Sequence, residues 1–572
     1  MRIKHFFGLA VIAAMTASCS SNNDLVNGGN GSGEVENGTA YASFKINLPT
    51  TSGTRAAGEP TFDKGDANEY KVNDATLLLF KKDATTGKYQ FKESVDLGNM
   101  EPWTSSSTEG ITTTAKLTAK ITKAEVGSNK GYYALIILNN NSKTAAKITE
   151  PTDGQTYADW SKNADNATVA NYLKHDNGFF MANAPKYVAG APETLVEIKN
   201  IYASKQEAEN STATTVYVER GLAKVSLAST SNEHVDIADG NYAGDHVDIT
   251  GWTLDVTNKK TFPVHVTEGD GLWADTWKTA ATTAATNGAT MDRFHDTKLT
   301  EFQRVYWGLD PNYKKEFATV EACEGEFTMA KTSDFKTGKD AKKAQYCLEN
   351  TFDIAHMMQG QTTRVLFSAT YQPNGLKPGE TFYKMGNSSQ LWNADKVVAQ
   401  IKAKAMEVLS EADETKVKVT LDATDNDLTK AGVHLVAAAN ITYGTTALAP
   451  EKVDEINAKL GFKKATPTDA EVGLSTFASG VSYYIARVKH FNELTPWNAG
   501  DATYADNNIN WLGRYGVLRN NWYELTVNSV SGPGYPDIPK VKPTDPDDEN
   551  EQYINVEVKI LDWAKRSQSV DL

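Results

Sequence analysis

Beyond its first twenty residues this 572-residue chain has no long hydrophobic run. No later stretch approaches the roughly 20 consecutive apolar residues a membrane-spanning helix needs. A basic stripe is missing as well. Acidic residues outnumber basic ones by 72 to 58, and the net charge of -14 is spread along the length. That balance argues against nucleic acid or an anionic membrane face as a partner, and for a self-repelling surface. No nucleophile elbow, phosphate loop, dinucleotide fingerprint or His-Glu-x-x-His pair occurs, so the chain is read as non-enzymatic and no cofactor is called for. The oxygen-rich runs 422–427 and 545–549 lack the Gly turn and distal Glu of a calcium loop and are read as solvated.

Cysteine is scarce, and its placement is informative. Arg2 and Lys4 precede an apolar run from Phe6 to Met15, then Thr16-Ala17-Ser18 and Cys19, which is the layout of an export signal over residues 1–18. A Cys directly after small residues is the lipoprotein pattern, with Cys19 acylated and Ser20 to Asp24 as its polar tether. The alternative is simple secretion with Cys19 inside a discarded peptide. Cys323 and Cys347 then remain, an even number in an oxidising compartment. A disulfide between them would add about 3 kcal/mol. Two buried free thiols are the other reading, because sequence does not set their separation.

A chain this long implies two domains with terminal appendages. Richness in Thr, Ala, Asn, Gly and Tyr, with few helical periods, makes the expected class mainly β. Strands are read at 75–81, 89–95, 110–122, 132–139, 194–198 and 214–228. A second set covers 247–256, 261–265, 363–371, 415–421, 481–489 and 522–530. The boundary is set near residue 230, giving domains over 56–230 and 231–531. Two packing helices are expected, Asp395 to Leu409 and Pro450 to Leu460, the second opening on Pro and closing before Gly461.

The repeat His234-Val235-Asp236 and His246-Val247-Asp248 is read as the polar faces of adjacent strands, with metal binding weighed and no metal assigned.

The two ends carry the same design. In Ala40 to Leu48, Phe44, Ile46 and Leu48 alternate with Ser43, Lys45 and Asn47, the period of a strand with one apolar face. Residues 49–60 follow with no periodicity, and Arg55 is their single basic residue, open to an Arg-specific protease. Near the other end, a Pro- and Asp-rich run from Asp537 to Asn550 reads as an extended leash that does not pack. Beyond it Ile554, Val556, Val558 and Ile560 alternate with polar residues. The first strand is read as holding a place in its own subunit until cleavage at Arg55. The last is read as the donor strand that another copy supplies. Folding of the terminal strand onto its own domain is the alternative.

Several stretches carry a resemblance to a known family: 72–80, 131–139, 178–181, Glu219 to Val225, and above all Tyr515 to Tyr523 through Gly534. They resemble the Bacteroidales fimbrillin family, the type V pilins, and within it the shaft subunits of the minor (short) fimbriae of Porphyromonas. The resemblance covers most of the chain after its export signal. It implies two transthyretin-like β-sandwich domains with a few short helices, a propeptide over 19–55, and a linker with donor strand over 532–572. It also implies an outer-membrane lipoprotein precursor, cleavage by an Arg-specific protease between Arg55 and Ala56, and polymerisation by strand exchange into an adhesive fibre. The partners implied are other copies of the chain, accessory anchor and tip subunits, and an unidentified host or bacterial receptor. The rival readings are a fimbrial tip subunit and a lipid-anchored monomer that binds a ligand such as a glycan.

Overall fold

The computed structural model describes residues 38–49, 69–98, 104–105, 111–140, 145–176, 178–188, 191–229, 231, 233–267, 304–466, 470–490, 513, 515–547 and 554–562. Residues 1–18, read as an export signal, lie outside the described residues, as do Cys19, Arg55 and Ala56 and the side chains of Val558 and Ile560. The chain is mainly β. Among the described residues no helix is long and apolar enough to cross a membrane.

The N-terminal half is built from β1 (Ala40–Pro49), β2 (Ala75–Lys82), β3 (Tyr89–Gly98), β4 (Ile111–Ile121), β5 (Tyr132–Leu138), β6 (Met181–Asn183), α1 (Lys205–Asn210) and β7 (Thr214–Arg220). These strands run in the order β3-β2-β5-β6-β7-β1-β4, within a nine-stranded sheet completed by two short pieces. Leu77, Leu78, Leu79 and Phe80 are all fully buried. Such an unbroken apolar run marks a strand covered on both faces rather than one. Phe80 meets Phe91 and Tyr157 edge to face, with ring centroids 5.7 and 5.5 Å apart.

The C-terminal half contains β8 (Ala223–Leu227), β9 (His234–Asp236), β10 (His246–Asp255), α2 (Val320–Glu326), β11 (Gln345–Cys347), β12 (Arg364–Gln372), β13 (Phe382–Met385), α3 (Ala394–Leu409), α4 (Pro450–Lys459), β14 (Leu474–Phe477), β15 (Val481–Arg487), β16 (Asn521–Val530) and β17 (Ile554–Asp562). One sheet has the order β11-β8-β16-β17 and another the order β9-β10-β12-β15. Val225, Leu525 and Val527 of the first share a core with Val365, Phe367, Tyr484 and Ala486 of the second, the arrangement of a sandwich. Between β13 and β14, helices α3 and α4 close over a separate apolar cluster that includes Val397, Ile401, Val453 and Ile456.

Both helices stand where their periodicity places them. Asn393 caps α3 by accepting from the Lys396 amide, and Ser410 ends it in the left-handed region at φ 51°. The strand expected over 214–228 is instead two. Gly221 passes so close to Tyr172 that a Cβ there would collide with the phenolic oxygen. Leu222 belongs to the first core and Ala223 to the second, while Val264 and Leu348 return to the first. The segment 261–265 is not a strand, and the strand read over 415–421 shrinks to Val417–Val419.

Candidate strand-pairing site

Alternation alone drives β1 to bury one face. Ala40, Ala42, Phe44, Ile46 and Leu48 are each 1% exposed or less. The strand sits in the middle of its sheet, parallel to β7 with Ile46 beside Val216, and antiparallel to β4 with Ile46 beside Ala115. At its start Tyr41 and Tyr202 exchange two backbone hydrogen bonds of 2.8 Å. Burying Phe44, Ile46 and Leu48 stabilises this half by roughly 5–9 kcal/mol before ordering costs, at about 1.5–3 kcal/mol per side chain.

The other face of β1 is not simply polar and wet. Lys45 is exposed, but Ser43 and Asn47 are buried. The Ser43 hydroxyl lies 2.6 Å from the Ala208 carbonyl of α1 and donates to it, and Thr114 donates to the Asn47 side-chain oxygen at 2.7 Å. Buried polar groups need such partners, and these two fix the depth of the strand. Alternation identifies the inward face but carries no sign of which outward residues a helix covers.

The terminal strand is differently placed. β17 pairs antiparallel with β16 along its length, from Asn521 beside Asp562 to Val530 beside Ile554, and forms the edge of its sheet. Ile554 and Val556 are buried in the second core. Among the described residues, then, the strand read as the donor lies on its own domain, with a single ladder where β1 has two.

The leash expected to stay unpacked instead packs as far as Asp547. Tyr535 and Tyr483 exchange backbone hydrogen bonds of 2.8 and 2.9 Å. Arg364, paired to Asp255 at 2.8 Å, also donates to the Pro539 carbonyl at 2.6 Å. Val541 fills a small cluster with Val256, Phe317, Cys323 and Phe327. Arg487 donates to the Asp547 carbonyl at 2.9 Å. Proline fixes the segment extended, and its buried carbonyls accept from arginines on neighbouring strands. Residues 548–553 lie outside the described residues.

A buried charge cluster joins the two halves where β7 gives way to β8. Glu219 accepts from Arg304 at 2.7 Å and faces His265 at 2.6 Å, while Arg519 pairs with Glu349 at 3.0 Å. Burial raises the Glu219 carboxyl, but His265 and Arg304 outweigh it and hold the group below its ordinary range. Asp310, buried beside Asn258 and Thr351, is pushed up to about 7 by desolvation. Sequence reading missed these groups, since nothing local marks a charge as buried.

Cys323 and Cys347 are free, in place of the candidate disulfide. Each lies in a different apolar cluster, and burial raises their thiols to about 11 and about 12.

Fold and site together define a mainly β chain that holds an inserted strand near one end and a peripheral strand at the other. Residues 475–569, from β14 through the terminal strand, match the family described as Major fimbrial subunit protein type IV, Fimbrillin, C-terminal. Among solved structures, a proposed cell adhesion protein from Parabacteroides distasonis is 11% identical, covers 93% of this chain and 99% of its own, and has a TM-score of 0.38. A fimbrilin from Porphyromonas gingivalis W83 is 14% identical, covers 92% and 99%, and has a TM-score of 0.34. No curated protein matches the chain.

Proposed function

We propose that this chain is a structural, non-enzymatic subunit of an adhesive cell-surface fimbria. It is exported as an outer-membrane lipoprotein acylated at Cys19, cleaved between Arg55 and Ala56, and polymerised by strand exchange, in the manner of a shaft subunit of minor fimbriae. The match of residues 475–569 to the fimbrillin C-terminal family supports this reading. The observation that carries it is the seat of β1. The strand fills the centre of a sheet, yet among the described residues it connects onward only across positions 50–68, which contain Arg55. Cleavage there leaves β1 held by non-covalent contacts alone, and its departure opens a slot between β7 and β4. A tail leaving a one-sided edge for that two-sided slot in another copy gains a second main-chain ladder, with Ile554, Val556, Val558 and Ile560 as the apolar face offered to the slot. The partners are then further copies of the chain, anchor and tip subunits, and an Arg-specific protease.

The second reading, a lipid-anchored monomer, is favoured by the pairing of β17 with β16 of its own chain. Arg55→Ala and deletion of residues 551–572 in a producing strain separate the two. Loss of polymer ladders in both supports strand exchange. Ladders that persist with Arg55→Ala overturn cleavage-driven assembly, and ladders that persist without the tail overturn its donation. A mature N-terminus at Ala56 supports the subunit, whereas acylated Cys19 on every molecule supports the monomer.

A further inference from the structure

The repeated His-x-Asp segments were expected on neighbouring strands, and they are neighbours in a definite register. β9 and β10 pair antiparallel with His234 opposite Asp248 and Asp236 opposite His246. Directly opposed residues of an antiparallel pair share a face, and residues two apart on one strand do too. Two imidazoles and two carboxylates therefore stand on one face of the hairpin. They are solvent accessible, the four side chains being 44–69% exposed.

The contacts sort the four groups into distinct roles. His234 Nδ1 lies 2.6 Å from Asp248 Oδ1, which turns His234 Nε2 toward Asp236 Oδ1, 3.3 Å away. His246 Nδ1 lies 2.5 Å from that same Asp236 oxygen. One ligand atom from each of His234, Asp236 and His246 falls within 4.8 Å of the others. A tetrahedral zinc with bonds near 2.1 Å holds its ligand atoms about 3.4 Å apart. The His234–Asp236 separation already has that value. The shorter His246–Asp236 contact is a hydrogen bond whose proton a metal would replace. Asp248 takes the part of the carboxylate that orients a metal-bound imidazole through its other nitrogen. On the far side of β10, Thr370 and Gln372 of β12 stand opposite Asp248 and His246, so the flanking row brings no like-charged competitor for a cation.

We propose that His234, Asp236 and His246 form a surface site for a divalent metal of the zinc class, with Asp248 as the positioning residue for His234 and a fourth coordination position left to solvent. Imidazole together with carboxylate selects zinc, copper or nickel over calcium and magnesium, which take all-oxygen sets. The site lies on a different sheet from β17 and in the other half from β1.

The test is isothermal titration of the full-length chain with zinc chloride at pH 7.5 in a non-chelating buffer, with calcium chloride as the comparison. One equivalent of zinc is expected to bind, and calcium is expected to give no saturable binding there. Asp248→Asn should weaken zinc binding by about 10–100-fold, the range for loss of such an orienting carboxylate. The double variant His234→Gln with His246→Gln should abolish it. Both variants alter exposed side chains, and unchanged far-UV circular dichroism checks their folding. Cobalt(II) substitution supplies a second readout, with visible absorption bands of tetrahedral intensity expected in the unaltered chain and lost in the double variant. Failure of the unaltered chain to bind zinc, or equal binding by the double variant, overturns the proposal.

Discussion

Arg487 holds Asp547 twice, donating from Nε to the backbone carbonyl at 2.9 Å and pairing the same guanidinium with the carboxylate, both side chains 4% exposed or less. The contact ties the end of the packed linker to β15, seven residues before the terminal strand begins. It sets the length of chain that must move if β17 is to leave its own sheet.

Removing that clamp should loosen the tail. Arg487→Ala breaks one partner of a buried pair, a change that costs about 3–5 kcal/mol. Hydrogen exchange of the backbone amides over 554–562 is expected to speed up in the variant. Unchanged exchange over those residues would show that clamp and terminal strand open independently.

The inserted strand should be sensitive to substitution on its buried face and tolerant on its exposed one. Ile46→Ala leaves a void beneath a fully buried position between β7 and β4 and should destabilise the N-terminal half by about 2–5 kcal/mol. Lys45→Ala, one residue away and exposed, should change stability by no more than about 0.5 kcal/mol. Urea unfolding of the uncleaved chain measures both. Equal effects from the two would show that β1 does not contribute its buried face to the core.

Stability should also depend on pH in a window set by Asp310. Its folded value is raised from the ordinary aspartate range to about 7. Between about pH 4 and pH 7 the folded state therefore binds the extra proton, and stability falls as pH rises across that window. Glu219 acts with the opposite sign below its ordinary range, where its lowered value makes stability fall as pH falls. The difference between urea-unfolding profiles of the native chain and Asp310→Asn isolates the first effect. The variant should lose the decline between pH 4 and pH 7, whatever its absolute stability. A profile parallel to the native one would show that Asp310 is ionised throughout.

By itself the sequence determined the mainly β class, most strand and helix positions, and the apolar faces of both end strands. Those features rest on local periodicity, and burial of a two-residue repeat on one side of a sheet leaves little freedom in how Phe44, Ile46 and Leu48 orient. Tertiary structure decided where each strand sits. The same alternation serves β1 with two neighbours and β17 with one, and nothing in Ile554 or Val556 records which edge is free. The packed course of the linker depends on Arg364 and Arg487, each more than fifty residues away in sequence from the carbonyl it finds, Pro539 and Asp547. Cys323 and Cys347 look like partners only by their even number, and their separation in two cores is a property of the fold. The two His-x-Asp segments likewise announce their residues, but only the register of β9 against β10 brings the side chains together. Pairing partners are chosen by contacts distant in the chain, and those contacts leave no local pattern to read.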